Sequence, residues 1–213
     1  MAYATSNTET ELSSVNSILG SIGQSPVSSL YRKDPNGELV FINPEIAFVY
    51  QILQETCVDV QNEGWVFNRE NNYPLTPNAN NEFEVPDNVL NIDISEGQIR
   101  RIVETTVRDG KVYDKINHSF KFDKPYRFDI VWLFSFEELP LPFQRYITLK
   151  ASVRAATQLV SNPELVQLLG QQLAEARVAV IEYDTDQGDY SFFGTPPGTA
   201  YAPFQPWHTL ARY

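Results

Sequence analysis

The chain has 213 residues, a formal net charge of −11 and one cysteine, Cys57. A single cysteine excludes an intramolecular disulfide framework and a cysteine-based zinc cluster, and it favours assembly in a reducing compartment. The acidic balance excludes a protein that binds DNA through a general footprint on its phosphates, because such binding needs clustered lysine and arginine. The sequence has neither a long apolar run nor the basic and apolar regions of a signal peptide. We therefore expect a soluble protein with no membrane segment and no export signal.

The first part of the chain predicts two helices. Thr8 and Glu11 have the spacing of a capping box, the apolar residues that follow recur at helical spacing, and Gly23 is of the type that ends a helix. After a loop, YRKDPNGEL, a second helix is indicated by Asn43 and Pro44. Asparagine is a good N-cap, and proline suits the first helical position because its missing N–H would have no partner there.

The middle of the chain favours β-strands. Its runs are short, rich in β-branched and aromatic residues, and separated by Asn, Asp, Gly and Pro: WVFNRE, VLNIDI, RIVETTV, KVYDKI, FKFD and RFDIVWLF. Asp109 and Gly110 stand between two of these runs and predict a type I′ hairpin, because both residue types tolerate a positive φ. We expect a mostly antiparallel sheet that is inserted between helices.

Helical spacing returns in the run PLPFQRYITLKASVRAATQLV. Ser161, Asn162 and Pro163 are predicted to end this helix and to cap the next one. The apolar stripe of the last helix is Leu165, Leu169, Leu173, Ala176, Val180 and Tyr183. Because the turn between the two helices is short, we expect an antiparallel helical hairpin.

The C-terminal segment is of a different kind. From Tyr190 onward it contains seven aromatic residues, four prolines and no acid, without periodicity. It cannot form a core of its own, yet it is too aromatic for a solvated tail. We predict an extended arm that packs either on its own subunit or on a neighbour or a tail partner. The candidate contact residues are Tyr190, Phe192, Phe193, Phe204 and Trp207.

Together these patterns predict an α+β fold. N- and C-terminal helices form a helical bundle, and a mostly antiparallel β-sheet domain is inserted between them. The predicted domains are the N-terminal helices at 1–64, the β domain at 65–136, the C-terminal helical hairpin at 137–188 and the extended aromatic arm at 189–213.

One stretch of this acidic protein is basic. Residues 100–127 carry eight basic and four acidic side chains, a net charge of +4, which leaves −15 for the rest. The stretch is either a solvated β surface or a docking patch for an acidic partner. The candidate interface residues are Arg100, Arg101, Lys111, Lys115, Lys121 and Lys124.

The sequence gives little support to an enzyme. Neither His118 nor His208 has a second ligand at metal-binding spacing, and no Walker, GxSxG, GxGxxG or HExxH motif occurs. Glu137 and Glu138 cannot form a glycosidase pair as neighbours on a helix, because adjacent residues do not face each other. We therefore predict no enzyme, no metal and no cofactor. A carbohydrate-degrading site assembled in three dimensions and a monomeric binding module remain the alternatives.

Four segments, taken in order, resemble one known family. They are ELSSVNSILGSIGQSPVSSL, NEGWVFN, LPLPFQRYITLKASVRAATQLVSNPELVQLL and EARVAVIEYDTDQGDYSFF. The amino-acid sequences and the spacing of these segments are similar to those of tail tubular protein A, the head-to-tail adaptor of short-tailed bacteriophages (podophages). The similar helical segments cover roughly half of the chain, whereas the β region and the arm are less alike.

This resemblance implies a virion structural protein that is assembled in the host cytoplasm. Members of the family form a dodecameric ring beneath the portal, continue the channel through which DNA passes without specific binding, and dock the tail nozzle. Tail fibres attach near the junction of adaptor and nozzle. The resemblance also implies that the helical part packs around the ring and that the β part projects from it.

Overall fold

A computed structural model describes residues 9–34, 37–95 and 102–188 of the protein. The helices and strands of these residues, in chain order, are α1 (Glu11–Ser21), β1 (Tyr31–Lys33), β2 (Leu39–Phe41), α2 (Pro44–Gln61), β3 (Arg69–Leu75), β4 (Val89–Ile94), β5 (Thr105–Arg108), β6 (Lys111–Asp114), β7 (Tyr126–Trp132), a 3₁₀-helix (Phe136–Glu138), α3 (Leu141–Ala155), a π-helical turn (Ala156–Val160) and α4 (Pro163–Gly188). The predicted arm, with Tyr190, Phe192, Phe193, Phe204 and Trp207, lies outside the described residues, and so do Arg100 and Arg101.

The predicted α+β fold class is confirmed by helices at both ends of the described chain and antiparallel strand pairs between them. The described residues form two compact units. The helical unit consists of the described residues up to 60 together with 134–183, and the β unit consists of those in 61–133 together with 184–188.

The caps of the first helix differ from the prediction at one end. Thr10 has extended backbone angles, and its hydroxyl accepts the N–H of Ser13 at 3.2 Å, so the N-cap is Thr10. The prediction of Thr8 as the cap is wrong, because a second threonine offers the same hydroxyl directly before the helical run. The predicted stop is confirmed: Gly23 adopts a φ of +79°, a conformation that a side chain would disfavour.

The second helix begins as predicted, with Pro44 in the first position and the side chain of Asn43 accepting the N–H of Glu45 at 2.6 Å. The segment before it was predicted to be a loop, and that prediction is wrong. Its two ends pair as the antiparallel hairpin β1–β2, in which Tyr31 lies opposite Phe41 with ring centroids 4.7 Å apart. Cross-strand aromatic contacts of this kind stabilise short strands.

The two C-terminal helices lie where the sequence predicts them, with the predicted turn between them. Ser161 ends the π-helical turn with a φ of 54°, and the side chain of Asn162 accepts the N–H of Glu164 at 3.0 Å, which caps α4. Phe143, near the start of α3, contacts Tyr183, near the end of α4, with ring centroids 6.2 Å apart. This contact places the two helices antiparallel.

The core of the helical unit contains one fully buried glutamine on α3. Gln144 is 0% exposed, its amide oxygen accepts the N–H of Glu9 at 2.8 Å, and its amide nitrogen donates to the carbonyl of Phe136 at 2.9 Å. A buried amide is tolerated only when its polar atoms have partners. The side chain therefore holds two backbone segments that lie 135 and 8 residues away in the sequence.

The β unit is built on a three-stranded antiparallel sheet in the order β3–β7–β4, with a separate hairpin β5–β6. The turn of this hairpin is as predicted, since Asp109 and Gly110 have φ values of 51° and 70°. The apolar core of the unit is formed by Phe83, Ile92, Ile94, Val103, Val112, Phe122, Tyr126, Phe128 and Ile130.

Two predicted strands are wrong in this unit. FKFD forms no strand: Phe122 is buried in the core, but its N–H donates to the carbonyl of Asn81 at 2.8 Å rather than to a strand. WVFNRE contributes only its last two residues, because β3 begins at Arg69. Before it, the buried amide of Asn68 accepts the N–H of Trp65 and donates to the carbonyls of Gln61 and Trp132, at 2.8, 2.9 and 2.9 Å.

Replacing Gln144 with leucine should lower the free energy of unfolding by about 2 kcal/mol, because the part-buried N–H of Glu9 loses this partner and the carbonyl of Phe136 keeps only the longer hydrogen bond from the N–H of Leu139 at 3.4 Å. Urea denaturation of the purified protein measures this change. Gln171→Leu, an exposed substitution on α4, is the matched control and should change the free energy by less than about 0.5 kcal/mol. Equal stabilities of the two variants would contradict the structural role of Gln144.

Candidate partner-binding surfaces

Two of the predicted interface lysines are paired within the chain. The Lys111 ammonium lies 2.6 Å from the Glu82 carboxylate, and Lys115 forms an ion pair with Glu104. The hydrogen bond and the negative charge of Glu82 raise the pKa of Lys111 above its ordinary value. The carboxylates of Glu82 and Glu104 thus partly neutralise the positive charge of the β5–β6 hairpin within the chain itself.

Lys121 and Lys124 are different, since both are exposed and neither forms an ion pair with a described residue. They lie in the segment between β6 and β7, and the Lys124 ammonium is 5.4 Å from the centroid of the Tyr126 ring. We call residues 121–124 the cationic loop. Its two lysines remain available to an acidic partner, whereas Arg100 and Arg101 lie outside the described residues.

The sequence reasoning missed an aromatic cluster on the same hairpin. The Arg108 guanidinium lies 4.1 Å from the centroid of the Tyr113 ring, which in turn packs edge-on against Phe120 at 4.9 Å. Arginine stacked over a half-buried tyrosine is a frequent element of protein interfaces. The sequence did contain a signal for this pair. A two-residue turn at 109–110 places Arg108 diagonal to Tyr113 on one face of the predicted hairpin.

Asp114 anchors the turn that follows β6. Its carboxylate is buried, and it accepts the amide of Asn117 at 2.6 Å and the N–H groups of Ile116 at 2.9 Å and Glu104 at 3.4 Å. Burial alone would raise the pKa of Asp114, but these hydrogen bonds together lower it below the ordinary value of 3.8. The carboxylate therefore holds the hairpin in shape rather than acting as a proton donor.

The helical unit carries a shallow apolar groove of about 510 Å³. We call it the α2 groove, and its lining residues are Phe41, Pro44, Ala47, Phe48, Tyr50, Gln51 and Gln54. The rings of Phe41 and Tyr50 lie 5.4 Å apart, and Phe48 is 40% exposed. An apolar lining with a few amides at its edge is typical of a peptide-binding groove.

A carboxylate lies beside this groove. The Tyr50 hydroxyl and the Gln54 amide both donate to the Glu11 carboxylate, at 3.1 and 2.8 Å. Burial, a hydrogen bond with Tyr31 and the charge of Glu11 raise the pKa of Tyr50, which stays protonated and keeps donating. Among the described residues no cation pairs with Glu11, so this edge of the groove is negative.

The long helix α4 has apolar residues on two sides. Its inner side follows the predicted stripe, with Leu169 and Val180 buried. Its outer side carries Leu168, Val178 and Ile181, which are 60%, 64% and 48% exposed. A surface helix normally presents a polar face to water, so this outer face indicates a further contact.

The residues considered for catalysis either have a structural role, as Glu138 does, or belong to no cluster of catalytic or metal-ligating side chains, as is the case for His118 among the described residues. Glu138 accepts the hydroxyl and the N–H of Ser135, at 2.7 and 3.1 Å, and these hydrogen bonds lower its pKa. A glycosidase acid needs a raised pKa, which is the opposite shift. His118 is exposed in a turn, and the described part of the chain contains no cluster of residues that could hold a metal ion. No helix in that part is long and apolar enough to cross a membrane.

Comparison with known families identifies the class of protein. A family model described as tail tubular protein matches residues 12–190, which is most of the chain. The chain belongs to the tail tubular protein family, and it is therefore a structural protein of the phage tail, found in the virion. No curated protein matches the sequence.

Replacing Asp114 with asparagine should lower the free energy of unfolding at neutral pH by about 1 kcal/mol, because an amide donor then faces the amide of Asn117. The folded protein holds the pKa of Asp114 low, so the unfolded chain takes up this proton first as the pH falls. The stabilisation is complete above the ordinary pKa of 3.8 and is lost as the pH falls through the lowered value.

The difference between the two proteins should therefore shrink in acid. Urea denaturation at neutral pH and at several values below 3.8 measures it. Asp87→Asn, at an exposed position of the same unit, is the control and should show no such pH-dependent difference. A constant difference at every pH would contradict the role given to the Asp114 carboxylate.

Proposed function

We propose that this protein is the A-type member of its family, a ring-forming adaptor that joins the portal to the tail nozzle. Twelve copies enclose a channel that continues the path of the DNA, and tail fibres attach near the junction with the nozzle. The support is the family membership together with the sequence resemblance to head-to-tail adaptors. Neither of the alternatives, a carbohydrate-degrading enzyme or a monomeric binding module, has an observation that favours it over this one.

The main structural support for the proposed ring is the apolar outer face of α4. Leu168, Val178 and Ile181 would each contribute roughly 1–2 kcal/mol if a neighbouring copy covered them. In a cyclic ring every copy presents this face to a different surface of the next copy, so one apolar face serves all interfaces. A monomeric module would leave the same three side chains in water.

The net charge supports the role of a conduit. Twelve copies at −11 each carry −132 in total, a strongly acidic assembly. Such a wall repels DNA phosphates, so the genome slides through it rather than binding. Specific docking then depends on local features such as the cationic loop, which differs in sign from the protein as a whole.

Replacing both Val178 and Ile181 with glutamate should reduce ring formation at least about ten-fold, because two charges must then be desolvated at the interface. Light scattering, with and without the portal protein, measures the assembled mass, and both conditions are needed because adaptors can remain monomeric until they meet the portal. Val107→Glu on β5, 44% exposed in the β unit, is the control. If the double variant forms the ring equally well, the outer face of α4 is not the interface between copies.

Reversing Lys121 and Lys124 to glutamate should impair docking to an acidic tail component, because the cationic loop then repels it. Binding of the purified nozzle protein, measured by surface plasmon resonance at low and high salt, should fall about ten-fold at low salt and differ less at high salt. The control reverses Arg32 and Lys33, two exposed cations of β1. Unchanged binding and normal assembled tails in electron micrographs would count against a docking role for the loop.

A further inference from the structure

The α2 groove lies on a second apolar face of α2. Its lining residues on the helix recur at intervals of three and four positions and include Pro44, Ala47, Phe48 and Gln51. The opposite face of the helix is buried in the helical unit through Val49, Leu53 and Val60. A surface helix normally has one apolar and one polar face, so the groove is an apolar surface beyond what the core of this unit requires.

The wall of the groove is a cluster of rings that are already held in place. Phe41 and Tyr50 line the groove, and the ring of Tyr31 packs against both of them at centroid distances of 4.7 and 6.3 Å. Phe48 completes the aromatic lining and is 40% exposed. Side chains that are fixed beforehand lose little conformational freedom when a ligand binds. The groove is therefore suited to a large apolar side chain inserted beside Phe48.

The Glu11 carboxylate adds a negative charge at the side of the groove. The Tyr50 hydroxyl and the Gln54 amide, which both belong to lining residues, donate to it at 3.1 and 2.8 Å. These donors are neutral, so they fix the position of the carboxylate without cancelling its charge. Because the carboxylate is bonded directly to the lining, a lysine beside a bound apolar side chain can reach it with its flexible four-carbon stem.

The charges near the groove in the sequence have the same sign. Residues 9–61 contain seven acids and two bases, a net charge of −5. Among the acids of α2, Glu55 and Asp59 pair with Arg154, whereas Glu45 pairs with no cation in the part of the chain that the structure describes. A second copy of this chain, with its charge of −11, would bring like charge to the groove. Charge complementarity therefore favours a different, basic partner.

We propose that the α2 groove docks a basic apolar segment of a different protein. A leucine or an aromatic side chain of that segment lies between Phe41 and Phe48, and a neighbouring lysine or arginine pairs with Glu11. The apolar side chain supplies most of the affinity, and Glu11 selects a basic segment over a neutral or an acidic one. The proposal requires only the helical unit of one copy, so it does not rest on the ring.

The test uses the full-length protein and two synthetic hexapeptides with blocked ends. Both alternate a charged residue with leucine or phenylalanine, and the charged residue is lysine in one peptide and glutamate in the other. Fluorescence polarisation should show that the lysine peptide binds at least about ten-fold more tightly. The NMR signals of the Gln51 and Gln54 side-chain amides should shift when this peptide binds, which places it in the groove.

Matched variants separate docking in the groove from general attraction to an acidic chain. Glu11→Gln should remove the preference for the lysine peptide, whereas Glu164→Gln, which removes the same charge from an exposed position on α4, should leave it unchanged. Phe48→Ser should weaken binding of the lysine peptide about ten-fold, whereas Val58→Ser, on the same helix and 39% exposed, should not. High salt should reduce the preference for lysine more than the effect of Phe48→Ser.

Three results would each overturn the proposal. They are equal binding of the two peptides, unshifted signals of Gln51 and Gln54, and equal effects of the variants and their controls. The last result would mean that binding follows the net charge of the chain rather than the groove. Failure of ring assembly would leave the outcome intact, because the measurement needs no contact between copies.

Discussion

The structure depends on a small number of buried amides that supply hydrogen bonds to backbone groups far away in the sequence. Gln144 holds the N–H of Glu9 in the helical unit, and Asn68 joins the carbonyls of Gln61 and Trp132 in the β unit. A buried peptide group without a partner costs about 1–3 kcal/mol. Neither a helix nor a sheet satisfies the backbone hydrogen-bonding groups at these places. The amide side chains supply the missing hydrogen bonds and so allow these backbone segments to be buried.

Much of the fold could be predicted because its signals are local. Asn43 with Pro44, Ser161 with Asn162, and Asp109 with Gly110 each determine the backbone within a few residues, and the structure has a cap or turn at each place. The wrong predictions fall where contacts between residues far apart in the sequence determine the local backbone structure. Phe122 alternates like a strand residue, but its N–H pairs with the loop at Asn81, which no local pattern reveals.

The candidate surfaces were predictable only in part for the same reason. Counting charges identified a basic stretch, but not that Glu82, 29 residues away, neutralises Lys111 and leaves the cationic loop as the exposed part. The α2 groove was missed because the helix was analysed for its buried stripe alone. Its outer residues become a groove only where Phe41, from a hairpin that was predicted to be a loop, lies against the helix.

The surfaces of this protein divide into two physical kinds. The outer face of α4 and the α2 groove are apolar, so contacts made there gain from water exclusion and are little affected by salt. The cationic loop acts through charge, which attracts at a distance but is screened at physiological ionic strength. For an acidic protein whose copies repel one another, this division has a consequence. In the proposed ring, identical copies would associate through apolar contacts, because their net charges oppose association, and charge would serve the recognition of a different partner.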